Sequence, residues 1–145
     1  MKIANVYERK GVLFIRASSQ TTTGVWIDDG PCFSSQLSAS SEEVGRVVLT
    51  TLASSQTGIP HPKSWTHLNE PLLKASGVKT WSTFGKSARC VDVKQAEFIA
   101  VTPTKNGGKD GGGFVSVTSH VETLPSNSTA EDVGDAVKRA FAIAE

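Results

Sequence analysis

Hydrophobic positions follow two rhythms along this chain. Residues 12–15 read Val-Leu-Phe-Ile, an unbroken apolar run, and a strand apolar on both faces belongs inside a sheet. Residues 3–8 precede it across Arg9-Lys10-Gly11, which predicts a β-hairpin. Residues 24–27 predict a third strand, ended by a turn at Asp28-Asp29-Gly30-Pro31, and residues 33–37 a short fourth. Residues 90–93 and 98–101 make a second predicted hairpin, and Val115, Val117 and Val121 keep the alternation of a later strand.

The second rhythm is helical and occurs twice. SASSEEVGRVVLTTL (residues 38–52) and NSTAEDVGDAVKRAF (residues 127–141) each open on a capping hydroxyl, Ser40 or Thr129, with acids in the first turn. Val44, Val47, Val48 and Leu52 form one apolar stripe, and Val133, Ala136, Val137 and Phe141 repeat its offsets. Val44, Val48, Leu52, Val133, Val137 and Phe141 are therefore expected in the core. Gly45 and Gly134 sit at matching interior positions, where glycine costs about 1 kcal/mol of helix stability; close packing against a neighbouring backbone would account for both. The likeness admits a duplication or two independent amphipathic helices. Between them lie a loop over residues 54–64 and a helix through Leu68, Leu72 and Leu73, with Pro71 in its first turn and Gly77 at its end. Thr80 caps a further short helix carrying Trp81 and Phe84. Trp26, Trp65 and Trp81 are expected to be packing residues, the last two seating the middle helix on the sheet. The expected fold is α+β, a largely antiparallel or mixed sheet with three to four helices packed against it, in one domain spanning 1–145.

Composition narrows the chemistry. The net charge is +1, which argues against a general nucleic-acid binder, but the charges are segregated. Residues 17–45 contain no lysine or arginine and carry Asp28, Asp29, Glu42 and Glu43, an acidic patch if the fold gathers them. Cys32 and Cys90 are too few for a disulfide framework and lie far from CxxC spacing. Buried, reduced thiols suit a cytoplasmic protein. The N-terminus shows no signal-peptide pattern, and no run approaches the ~20 apolar residues of a membrane span.

Three motifs bear on the chemistry. KNGGKDGGGF (residues 105–114) lacks the Ser or Thr that follows GK in a Walker loop, and a strand rather than a helix comes next. It reads as an inter-strand loop. His61 and His67 lack the one-face spacing of a zinc helix. Neither cysteine sits in a nucleophile turn. No catalytic residue, metal or cofactor is expected. The basic stretch 63–89, with Lys63, Trp65, Lys74, Lys79, Trp81, Phe84, Lys86 and Arg89, supports an alternative, a small nucleic-acid-binding module.

The order of motifs carries more than any one of them. GVWIDDGP (24–31), SEEVGRVVLTTLASSQTGIPHP (41–62), EPLLKASGVKTWSTF (70–84), TPTKNGG with GGF (102–114) and STAEDVGDAVKRAF (128–141) follow in sequence. The set resembles the immunity proteins of bacterial contact-dependent growth-inhibition systems, in the branch with a TGIPHP-type loop and a VKSWSxF-type helix. Residues 111–124 depart from that pattern, with a longer glycine run. The resemblance implies a non-enzymatic, cytoplasmic inhibitor that binds the C-terminal toxin domain of a large exported protein, commonly a nuclease, in one branch an RNase A-like one. Partner contacts are expected from Asp28, Asp29, Glu42 and Glu43, which would suit a basic nuclease cleft, and from Lys105, Asn106, Lys109 and Asp110 in the glycine loop.

Overall fold

The computed structural model describes residues 1–107 and 113–145. The first hairpin pairs β1 (Lys2–Arg9) with β2 (Val12–Thr21). Its continuous apolar run is central, with Leu13 and Ile15 buried on one face and Phe14 on the other. On the far side of β2 runs β3 (Trp26–Gln36), which corrects the two short strands and intervening turn expected there. Asp28-Asp29-Gly30-Pro31 is not a turn but part of a bulged strand. Arg16 pairs with Cys32 while Ala17 pairs with Asp29, so Gly30-Pro31 is looped out of register. Gly30 takes φ 78°, open to glycine without penalty, and Pro31 has no N–H to leave unpaired at an edge. The dipeptide is turn chemistry, but residues on both sides of it find partners on the same neighbour.

The described residues form four helices and eight strands in all. After β3 come α1 (Ser41–Ser54), β4 (Thr57–Ile59), α2 (Glu70–Ser76) and α3 (Trp81–Ser87). Then come β5 (Arg89–Gln95), β6 (Phe98–Asn106), β7 (Phe114–Ser116), β8 (Glu122–Pro125) and α4 (Ala130–Ile143). The sheet order is β3-β2-β1-β5-β6-β7, with β8 also on β6 and β4 on β2. All pairs are antiparallel except β2 with β4. The single strand expected from Val115, Val117 and Val121 is instead β7, a 3-10 turn at Thr118–His120, and β8. Both short strands line one edge of β6, and Val115 and Val121 stay exposed.

Helices cover both faces. On the first, α1 and α4 bury Val44, Val48, Leu52, Val133, Val137 and Phe141 against Val6, Ile15, Val91, Val93 and Val101, as the two stripes predict. Ser40 and Thr129 accept from Glu43 N and Asp132 N, both at 3.2 Å, as capping hydroxyls. The helices cross at the two glycines. A Cβ on Gly45 would lie 1.7 Å from the Ala130 carbonyl oxygen, and one on Gly134 would lie 1.8 Å from that of Ser41. This reciprocal contact explains why neither position carries a side chain. On the second face, α2 and α3 bring Leu72 and Phe84 onto Tyr7, Phe14 and Cys90.

The repetition extends beyond the helices. Strands β1, β2 and β3 with α1 make one three-stranded unit and helix; β5, β6 and the β7–β8 edge with α4 make another. The units meet through the antiparallel pair β1–β5, and each outer strand is interrupted midway. The same interval separates Ser40 from Thr129 and Gly45 from Gly134. Of the alternatives left by the sequence, this arrangement supports duplication. The segment between the units, which holds α2 and α3, has no counterpart in the second.

Candidate functional site

The second sheet face holds a polar cluster that the strand registers assemble. Asp28 on β3 lies opposite Ser18 on β2, and Asn5 on β1 lies opposite both Arg16 and Asp92. Alternation then puts all of these side chains, with Tyr7 and Cys90, on one face. The Asp28 carboxylate accepts from Asn5 Nδ2 at 2.8 Å, Ser18 Oγ at 3.0 Å and Tyr7 Oη at 3.0 Å. Asp92 accepts from Ser116 Oγ at 3.2 Å and faces the Cys90 thiol at 3.7 Å. Arg16, almost wholly buried, donates to the carbonyls of Gly30 and Leu68 and so ties the loop before α2 onto this face.

Burial governs the protonation of this cluster. Desolvation raises the Asp92 pKa above the usual carboxylate value, with the Asp28 charge adding to it against Ser116 and Lys94. The Tyr7 phenol is raised well above its ordinary value, first by burial and then by the Asp28 charge. Burial likewise raises the Cys90 thiol, with Asp92 reinforcing it, and pushes Cys32 up to about 11. Both thiols are thus held protonated, the opposite of what an activated nucleophile requires.

Aromatic rings wall one side of the cluster. Tyr7 meets Trp81 at 6.0 Å, Phe84 at 5.8 Å and Phe114 at 5.8 Å between ring centroids. Trp81 therefore packs as expected, whereas Trp65 is 52% exposed and meets the His61 ring edge-on at 5.5 Å. The middle-helix role predicted for Trp65 fails because it stands in the loop before α2, on a stretch of irregular chain. Trp26 is half-buried rather than core, near the open start of the edge strand β3.

The other candidates scatter. Asp29 pairs with Ala17 on the opposite face to Asp28. Glu42 and Glu43 are exposed in the first turn of α1, so the sheet separates them from Asp28. Lys105 is exposed, while Asn106 donates to the carbonyls of Gly85 at 2.6 Å and Ala88 at 2.9 Å, holding the end of α3. The glycine segment joins antiparallel strands, as its lack of a following helix predicts: Asn106 pairs with Phe114, and Gly107 N donates to Gly113 O at 2.7 Å. Lys109 and Asp110 lie outside the described residues. In the basic stretch, Lys74 and Lys79 border a groove of about 660 Å³ beside α2. Arg89 is committed elsewhere, to Glu8 at 2.6 Å and to the Phe141 carbonyl at 2.7 Å.

Sequence reasoning missed Asn5, Tyr7 and Asp92. The available signal was the alternation in β5, where Cys90, Asp92 and Lys94 interleave with Val91 and Val93. One face of that strand is apolar and the other is not. Among the described residues, no group of three or more His, Cys, Asp or Glu side chains is placed to hold a metal, and no helix is long and apolar enough to cross a membrane.

A family model described as CDI immunity protein matches residues 2–144. The chain belongs to that family. Two solved structures share the fold of this CDI immunity protein family member. A protein of unknown function from Neisseria meningitidis superposes with a TM-score of 0.80 at 19% identity, covering 99% of this chain and 95% of its own. A chain of a CdiA-CT/CdiI toxin and immunity complex from Yersinia pseudotuberculosis gives a TM-score of 0.79 at 15% identity, covering 99% and 97%. No curated protein sequence matches. The fold of this family member thus recurs in solved structures of low sequence identity.

Proposed function

We propose that this chain is an immunity protein that binds the toxin domain of its contact-dependent growth-inhibition system, in the cytoplasm, and neutralises it by occupancy rather than by chemistry. The observation that carries the reading is the family match over residues 2–144. The relative from Yersinia pseudotuberculosis, which shares the fold, is described as part of a toxin and immunity complex. The polar cluster fits a binding role. Its carboxylates and phenol are held by fixed hydrogen bonds, and its thiols are kept protonated by burial. A preorganised polar face gives specificity because a partner lacking complementary groups leaves it desolvated and unpaired. The toxin is proposed to be a nuclease.

Stoichiometry tests the proposal. When the toxin domain encoded beside this chain is purified and assayed on RNA and DNA, inhibition should be complete at one equivalent of this protein. Recovery of active toxin on dissociating the complex is also expected. Inhibition at far below one equivalent would mean that the protein turns over as an enzyme, and absence of binding would remove the immunity reading. A toxin that cleaves neither nucleic acid would remove only the nuclease assignment.

A further inference from the structure

The two halves of the second sheet face are unequal. On the first unit, the end of β1 and the start of β2 carry Tyr7, Val12 and Phe14, and the chain covers them with α2 and α3. The corresponding surface of the second unit is the end of β5, the start of β6 and the adjoining β8. There Lys94, Phe98, Thr123 and Pro125 are exposed, and Ala100 is half-buried. Phe98 lies on a strand paired on both sides, to β5 and to β8, yet is 57% exposed. A phenylalanine on an interior strand normally lies under a second layer, because an uncovered apolar sheet surface favours association.

Asp92 stands at the border of this uncovered area, opposite Asn5 and Thr102. Its hydrogen bonds come from Ser116 and the Cys90 thiol; among the described residues it joins no salt bridge, and Lys94 two residues along the strand offsets part of its charge. Asp28 reinforces the negative potential across the same face. An exposed phenylalanine on the same face as a partly desolvated carboxylate matches a basic side chain on an apolar stem better than it matches an acidic or purely apolar surface.

From the missing layer and this charge we infer that the uncovered end of the second face, Asp92, Lys94, Phe98, Ala100, Thr123 and Pro125, is where the toxin domain docks, a toxin lysine or arginine reaching Asp92. The inference rests on the immunity reading and assigns its surface. Phe98 supplies the central apolar contact, and the Asp92 carboxylate orients the partner by a charge-assisted hydrogen bond.

The experiment is a calorimetric titration of the purified toxin domain encoded beside this chain into wild type, Phe98→Ser, Asp92→Asn and Glu42→Lys/Glu43→Lys. Circular dichroism melts establish that each variant is folded; Phe98 is exposed and Asp92→Asn is isosteric, so neither should unfold the protein. Phe98→Ser and Asp92→Asn should each weaken binding about tenfold or more. No binding by wild type would sink the immunity reading itself. Tight wild-type binding with both face variants unchanged would overturn the docking surface alone. Loss confined to Glu42→Lys/Glu43→Lys would overturn it in favour of the α1 side. Self-association of wild type in sedimentation, abolished by Phe98→Ser, would overturn it in favour of a second copy of this chain.

Discussion

Replacing Gly45 by alanine ordinarily helps a helix by about 1 kcal/mol, and here it should do the reverse. The added Cβ would lie 1.7 Å from the Ala130 carbonyl oxygen and 2.9 Å from Gly134 N, whereas ordinary contact begins at 3.4 Å. Both neighbours are backbone, so no side chain can swing aside. Relief requires α1 and α4 to part by ~1.5 Å, more than the gap at which a dispersion contact forfeits a quarter to a half of its well. The helices share Val44, Val48, Val133 and Val137, all buried. If each valine contributes about 2 kcal/mol by burial, loosening them costs about 2–4 kcal/mol, and the helix-propensity gain offsets about 1 kcal/mol of it. A net loss of about 1–3 kcal/mol is expected, in the range of overpacked cores.

Urea titration followed by circular dichroism measures this loss. Gly85→Ala is the control, because among the described residues its Cβ would meet only Trp81 ring atoms, at 3.9 Å, and it should be neutral or stabilising. Gly134→Ala should resemble Gly45→Ala. The double variant should cost less than the two single losses combined, since helices already parted by one methyl accommodate the second. Gly45→Ala at or above wild-type stability would refute the close crossing and leave both glycines unexplained.

Three further outcomes follow from packing and charge. Phe141→Ala should cost about 3–5 kcal/mol in the same titration, because the ring is buried beneath the Arg89 guanidinium, 5.4 Å from its centroid; a loss under about 1 kcal/mol would contradict that burial. Asp92 has a folded pKa raised by desolvation, so its contribution to stability is complete below the unfolded aspartate value and declines as pH rises through the folded one. Asp92→Asn should therefore be more stable than wild type at neutral pH and flatten stability across that window, and equal pH profiles would refute the assignment. Cys32, raised to about 11 by burial, and the more deeply buried Cys90 should both resist a thiol reagent at pH 8 in the native protein and react on unfolding; rapid native labelling would show an exposed thiolate.

How much of this was legible follows from how local each signal is. The helical stripes and their caps depend on residues three and four apart, and Ser40, Thr129, Val44 and Phe141 fall where those spacings put them. The apolar run in β2 marks a central strand for the same reason. What failed depends on pairing across the sheet. Asp28-Asp29-Gly30-Pro31 has the composition of a turn, and only the register of β2 on both sides of it reveals a bulge. The acidic residues of 17–45 are neighbours in sequence, but alternation turns Asp29 away from Asp28, and α1 lies across the sheet from it. The cluster that does form joins β1, β2, β3, β5 and β7, and no short window of sequence contains it.

The duplicated plan connects these observations to function. A sheet formed from two equivalent units offers two equivalent second-face surfaces, and each apolar surface needs cover. The first receives it from the chain itself, through Leu72, Phe84 and Trp81. The segment supplying that cover lies once in the sequence, between the units, and its hold on the sheet is specific: Arg16 grips the Leu68 carbonyl, and Asn106 grips the end of α3. The second surface keeps Phe98 exposed on the same face as Asp92, with Lys94 and Ala100 between them. If a partner supplies there the cover that the first surface receives from the chain's own helices, replacing the exposed ring by a charge should spare the fold and cost the partner. Phe98→Lys should leave the isolated protein folded and unchanged in stability to within about 0.5 kcal/mol, as expected of an exposed site, while abolishing protection of cells that produce the toxin. Intact protection by a folded Phe98→Lys variant would show that this surface is left open for some reason other than the partner.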